Sequence, residues 1–165
     1  MRTLLLAACM AVLALPGLAE DAANGKKDTA DIPDAQVFTS DHSLRLGNRT
    51  VKYKTIASET YLRDAKDEPT AAIFSVSYID TATTSPAARP VTFVFNGGPG
   101  SASLWLHMGA FGPKQVITPS DASDVGAPPY TIRDNRNSLL DVTDLVFIDP
   151  VGTGYSRPLG ETEGK

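Results

Sequence analysis

Cysteine is nearly absent from this 165-residue chain, which carries Cys9 and no other. One thiol can build neither a disulfide framework nor a cysteine-rich metal site. Histidine is scarce too: His42 and His107 stand far apart in sequence and have no metal-ligand spacing. Positive charge is in the minority, with 15 Lys and Arg against 19 Asp and Glu, a formal charge of −4. No basic cluster relieves it, since Lys26-Lys27 is a lone pair, so nucleic acid is not an expected partner. Beyond the first nineteen residues no apolar run approaches membrane-spanning length. What remains, 42% hydrophobic and 21% charged, is the composition of a globular protein.

The first nineteen residues read as a secretory signal peptide. Arg2 supplies a positive start, Leu4 to Leu15 an apolar stretch, and Gly17-Leu18-Ala19 a small-residue cleavage site, with cleavage expected after Ala19. The product is then an exported protein, periplasmic or secreted. Leu6-Ala7-Ala8-Cys9 also fits a lipoprotein signal, but the apolar stretch before Cys9 is very short for one. Membrane attachment is expected only if Cys9 is lipidated. Residues 20–34 are polar and read as a flexible mature N-terminus.

From Ala35 the pattern changes to alternation. Leu44-Arg45-Leu46 and Val51 to Ile56 place apolar groups at every second position around a Gly47-Asn48 turn. Glu59 to Leu62 and Ala72 to Tyr78 read as two further strands flanking a polar turn over Asp64 to Pro69. Thr81 to Pro90 is a Ser/Thr/Pro/Ala loop, and Val91 to Phe95 is a β-branched and aromatic run expected to be a buried strand. A short helix follows, with Ser101 as its N-cap and Leu104, Trp105, Leu106 and Met108 along it. Gly112-Pro113 breaks the chain, and Thr118 to Pro129 is a loop. Leu145 to Asp149 is a second buried strand. An antiparallel meander leading into buried strands is an α/β pattern.

Two glycine-rich loops end these buried strands. The first, Asn96-Gly97-Gly98-Pro99-Gly100, allows close approach to the main chain and can gather N–H groups around an anion or an oxyanion. The second follows Asp149 as Pro150-Val151-Gly152-Thr153-Gly154-Tyr155-Ser156. With Asn137-Ser138-Leu139-Leu140 before it, this pair of ordered blocks resembles the serine carboxypeptidase family of α/β-hydrolases. The resemblance covers roughly the second half of the chain. It implies that residues 35–165 are the N-terminal part of an α/β-hydrolase sheet, incomplete here, and that the full protein hydrolyses peptides with a free C-terminus. It implies that Gly98 N–H is an oxyanion donor and that Asn96 and Gly97 hold the substrate carboxylate. No cofactor and no metal are implied.

The catalytic Ser, Asp and His are expected beyond Lys165. The nearest approach to Gly-x-Ser-x-Gly is Gly154-Tyr155-Ser156-Arg157-Pro158, which fails at the last position, so Ser156 reads as a loop residue. His107 reads as a structural or surface histidine, and His42 as lying in a polar turn. Asp149 is expected to accept backbone N–H groups of its own loop, and Trp105 to pack behind the first loop. Gly152-Thr153-Gly154 lacks the further glycine of a nucleotide loop, for Arg157 stands there. Three positions depart from the family. Ser101 replaces a common Cys, in keeping with a bacterial rather than a disulfide-rich eukaryotic member. Leu139 replaces a Trp, and Ala110 replaces a Glu of the carboxylate-binding network, which loosens C-terminal specificity. Acyl transfer by the same apparatus, or a non-catalytic binding module if the chain ends at Lys165, are the alternative functions.

Overall fold

The computed structural model describes residues 32–121 and 123–159. The signal peptide and nearly all of the polar N-terminus lie outside the described residues. Three long strands form an antiparallel meander: β1 (Val37–Leu46), β2 (Arg49–Arg63) and β3 (Pro69–Asp80). Gly47, at φ 55°, takes the first central position of the β1–β2 turn, where only glycine enters the left-handed region without strain. The Asp64 carboxylate closes the β2–β3 turn by accepting the N–H groups of Lys66 and Glu68.

Val51–Ile56 and Glu59–Leu62, expected as separate strands, are one strand of 15 residues. The small pair Ala57-Ser58 does not interrupt it, because both residues pair on either side with β1 and β3. His42 lies inside β1 rather than in a turn, and its ring stacks on Tyr53 across the ladder at 5.5 Å.

The sheet then becomes mixed. Strand β7 (Asp144–Ile148) pairs antiparallel with β3 and parallel with β4 (Val91–Val94), giving the order β1-β2-β3-β7-β4. Between β4 and β7 lie a three-residue helix α1 (Leu104–Leu106), a π-helical turn (His107–Phe111), a hairpin of β5 (Lys114–Val116) and β6 (Ile132–Asp134), and a 3₁₀ turn (Leu139–Asp141). A two-residue strand, β8 (Arg157–Pro158), returns to β3. One face of the sheet carries the core of Leu44, Val51, Tyr53, Tyr78, Val94, Leu140, Leu145 and Phe147.

The strand over residues 91–95 is not buried as its composition suggests. It sits at the edge of the sheet, Val94 alone is buried, and Phe93 and Phe95 are exposed. A continuous apolar run of this length does not distinguish a central strand from an edge. Strand β7 has neighbours on both sides and is mostly buried, as expected.

At the N-terminal ends of the parallel strands an ionic cluster joins the elements. Arg89 Nε donates to Asp144 Oδ1 at 2.7 Å, another guanidinium nitrogen lies 3.7 Å from Asp80, and a third donates to the Leu140 carbonyl. Asp144 Oδ1 also accepts the Asp80 N–H at 2.9 Å. The Asp80 carboxylate, fully buried, takes Arg49 at 2.8 Å, and Arg49 reaches on to the Asp141 carbonyl. Charges so enclosed persist only where they are paired and hydrogen-bonded.

Candidate active-site loops

Because β4 and β7 run parallel and adjacent, their C-terminal ends open at the same end of the sheet. The loops that follow them therefore emerge side by side, the usual place for a ligand in an open α/β sheet. Each loop turns through left-handed glycines: Gly98 and Gly100 at φ 77° and 95° in the first, Gly152 and Gly154 at 80° and 52° in the second.

Asp149 ties the two loops together. Its Oδ1 accepts both the N–H and the hydroxyl of Ser103, each at 2.9 Å, and its Oδ2 takes the Tyr155 N–H at 3.3 Å. The expected bond to its own loop is thus present, but the stronger attachment is to the other one. Charge-assisted bonds of this kind are roughly twice as strong as neutral ones. Gly154 closes tightly over the carboxylate, for a Cβ there would lie 2.0 Å from Asp149 Oδ2 and 3.2 Å from the Ala102 methyl. Ser156 anchors the second loop to the meander. Its hydroxyl donates to the Asp149 carbonyl at 2.7 Å and accepts the Phe74 N–H at 2.8 Å. A buried hydroxyl committed in both directions is a structural one.

The residues expected to act on substrate lie in the first loop. Gly97 and Gly98 are exposed, and no atom stands within 4 Å of where their side chains would begin. Their backbone is open to an approaching ligand. Asn96 is half-buried, and its Oδ1 is enclosed without a hydrogen-bond partner. An orphaned polar atom of this kind is rare in a folded chain and costs about 1–3 kcal/mol.

Around this loop two expectations change. Ser101 is not the helix cap, since its hydroxyl turns to the Ala102 carbonyl at 3.4 Å and Ser103 occupies the cap position. Ser103 makes no side-chain cap bond; its backbone is already αR, at φ −67° and ψ −2°, whereas a capping side chain usually reaches its N–H from an extended residue. Trp105 does not pack behind the loop. It is 71% exposed, beside an exposed Leu104, on a helix of three residues none of which is buried. The role of Ser103 has no signature in the sequence, as its partner is 46 residues away.

Behind the loop His107 is structural. Its ring stacks on Phe147 at 4.4 Å and its Nε2 meets the Tyr78 hydroxyl at 2.6 Å. Burial lowers its pKa to about 4, against the opposing pull of the Asp149 charge, and burial also raises that of Tyr78. Between pH 6.5 and about 4 the unfolded chain therefore binds a proton that the folded chain refuses. Stability from this residue is complete above pH 6.5 and drains away as pH falls through that window, by up to about 3 kcal/mol. Urea midpoints at pH 7, 5.5 and 4.5 should show this decline in the native chain. A His107→Gln variant should lose that share of the slope, and an unchanged slope would contradict the assignment.

Among the described residues no group of three or more His, Cys, Asp or Glu could hold a metal ion. Among them also, no helix is long and apolar enough to cross a membrane.

The serine carboxypeptidase family profile matches residues 56–163, well over half of the chain. Among solved structures the chain is similar to the crystal structure of Kex1, a prohormone-processing carboxypeptidase from Saccharomyces cerevisiae. The two share 26% identity with a TM-score of 0.45, over 79% of this chain and 22% of that one. No curated protein matches the chain. With both glycine loops inside the matched region, beside each other and joined through Asp149, the chain belongs to the serine carboxypeptidase family.

Proposed function

We propose that this chain is the N-terminal portion of an exported serine carboxypeptidase-like hydrolase, carrying the oxyanion and carboxylate-binding loop but not the catalytic triad. A serine beyond Lys165 attacks the acyl carbon of a peptide, a histidine takes its proton, and an aspartate orients that histidine. Gly98 N–H donates to the oxyanion that forms, a contribution worth about 3–4 kcal/mol at such a position. Asn96 and Gly97 hold the free C-terminal carboxylate, using an amide and a backbone N–H as donors. Peptide is the expected substrate, and no cofactor takes part.

One observation supports this most. Gly97 and Gly98 are exposed, with nothing within 4 Å of where a side chain would begin, so their backbone is open to a carboxylate or an oxyanion. The exposed Phe93 of edge strand β4 and the exposed Phe95 just after it also suit a sheet that continues with further strands.

The test is the protein expressed from the reading frame extended past Lys165. It should hydrolyse an N-blocked peptide with a free C-terminus, and amidating that terminus should lower kcat/KM. Asn96→Ala should lower kcat/KM for the free acid by roughly 10- to 100-fold, the worth of one charge-assisted bond, and leave the amide nearly unaffected. Ala110, in place of a carboxylate residue, favours a second reading in which the acyl group passes to an alcohol. Transfer to an alcohol without hydrolysis would establish that alternative. A stop codon at Lys165 would instead favour a non-catalytic binding module.

A further inference from the structure

A cleft of about 510 Å³ lies on the β5–β6 hairpin, apart from the two glycine loops, lined by Gln115, Arg133, Asp134, Asn135, Arg136 and Asn137. Its floor is rigid. Asn135, 1% exposed, donates from its amide to the carbonyls of Ala110 and Gly112 at 2.7 and 2.8 Å, and accepts the Asn137 N–H at 3.0 Å. That residue therefore holds the backbone from which Arg136 and Asn137 project.

The charges around the cleft do not cancel. Arg49, Arg63, Arg89 and Arg157 each face a carboxylate. Among the described contacts Arg133 and Arg136 face none. Arg133 reaches only the Gln115 amide oxygen, at 3.4 Å. Asp134, the one acid in the wall, is taken by Lys114 at 2.5 Å. Two guanidinium groups thus line a single cleft of a chain whose overall charge is −4.

From this we infer that the cleft is a binding site for an oxyanion, a carboxylate or a phosphate, held by Arg133 and Arg136 with the Asn137 amide as a third donor. Guanidinium groups present planar pairs of N–H donors that match either anion bidentately. A bound anion also offsets the repulsion between the two like charges. The Gln115 amide nitrogen donates to the Gly109 carbonyl at 3.0 Å, which turns its oxygen toward Arg133 and leaves that guanidinium positioned rather than neutralised.

Isothermal titration of the whole chain with inorganic phosphate and, separately, with succinate tests the site, using sodium chloride at matched ionic strength as the control. One or both anions should bind at one site with a Kd of roughly 1 mM or tighter, and chloride should not. Binding by succinate alone identifies a carboxylate ligand, and binding by phosphate alone a phosphorylated one. Arg133→Gln and Arg136→Gln should each weaken binding about tenfold, and the pair together should abolish it. Arg45→Gln, on β1, should leave it unchanged. Absence of heat with both anions, or equal affinity in the double variant, would overturn the assignment. Because both side chains are exposed, the variants should fold. Should the double variant not fold, the two single variants decide.

Discussion

Arg89→Ala should lower the unfolding free energy by about 3–5 kcal/mol, read as a shift of the urea midpoint with an unchanged slope. Among the described residues the guanidinium is the only cation placed against Asp144, and it shares Asp80 with Arg49. Truncation leaves Asp144 charged, 90% enclosed and bonded only to the Asp80 N–H, and it frees the Leu140 carbonyl. Losing one member of a buried pair is costlier than never having had the pair, because the remaining charge keeps its full desolvation cost. Arg89→Lys should recover part of the loss, since an ammonium cannot span Asp144, Asp80 and Leu140 at once. Natural domains of this size are stable by only about 5–15 kcal/mol, so the alanine variant should be partly unfolded near physiological temperature. A change under 1 kcal/mol would mean that Arg49 alone neutralises the cluster.

Asp149→Ala should cost about 4 kcal/mol, and its effect should be concentrated at the other end of the sheet. Three donors lose their acceptor: the Ser103 N–H, the Ser103 hydroxyl and the Tyr155 N–H. Asp149→Asn keeps one acceptor oxygen and should cost about half as much. Amide resonances of Gly98, Ser103 and Tyr155 should move in both variants, since the carboxylate is what holds the first loop against the second. If only Tyr155 moves, the link between the loops is not carried by this residue. In the extended protein proposed above, Asp149→Asn should lower kcat more than it raises KM, because a displaced Gly98 N–H stabilises the transition state less.

Strand existence was legible in the sequence wherever alternation was regular. Leu44 to Leu46 and Val51 to Ile56 announce a hairpin because one face of each strand must meet the core, and a two-residue turn with glycine joins them. The extents were less legible. Ala57-Ser58 has weak strand propensity, yet β2 runs through it because two neighbouring strands satisfy its backbone. The glycine loops were legible as loops, and their resemblance to one family is upheld by the profile match.

Other features had no local signal. The burial of residues 91–95 depends on what lies beside them, and β4 proves to be an edge strand. Trp105 is apolar in any sequence reading, but nothing in the assembled sheet packs over it where it stands on α1.

By itself, then, the sequence determined the local chemistry: where the chain alternates, where glycine lets it turn left-handed, and which family's two blocks it carries. Tertiary structure decided the partnerships. Ser103 with Asp149, Arg89 with Asp144 and Tyr78 with His107 are separated by 46, 55 and 29 residues. The parallel pairing of β4 with β7 and the antiparallel pairing of β7 with β3 bring them together. Propensity and pattern act over a few residues, whereas the choice of a charged or hydroxyl partner is made by burial, which only the assembled sheet defines.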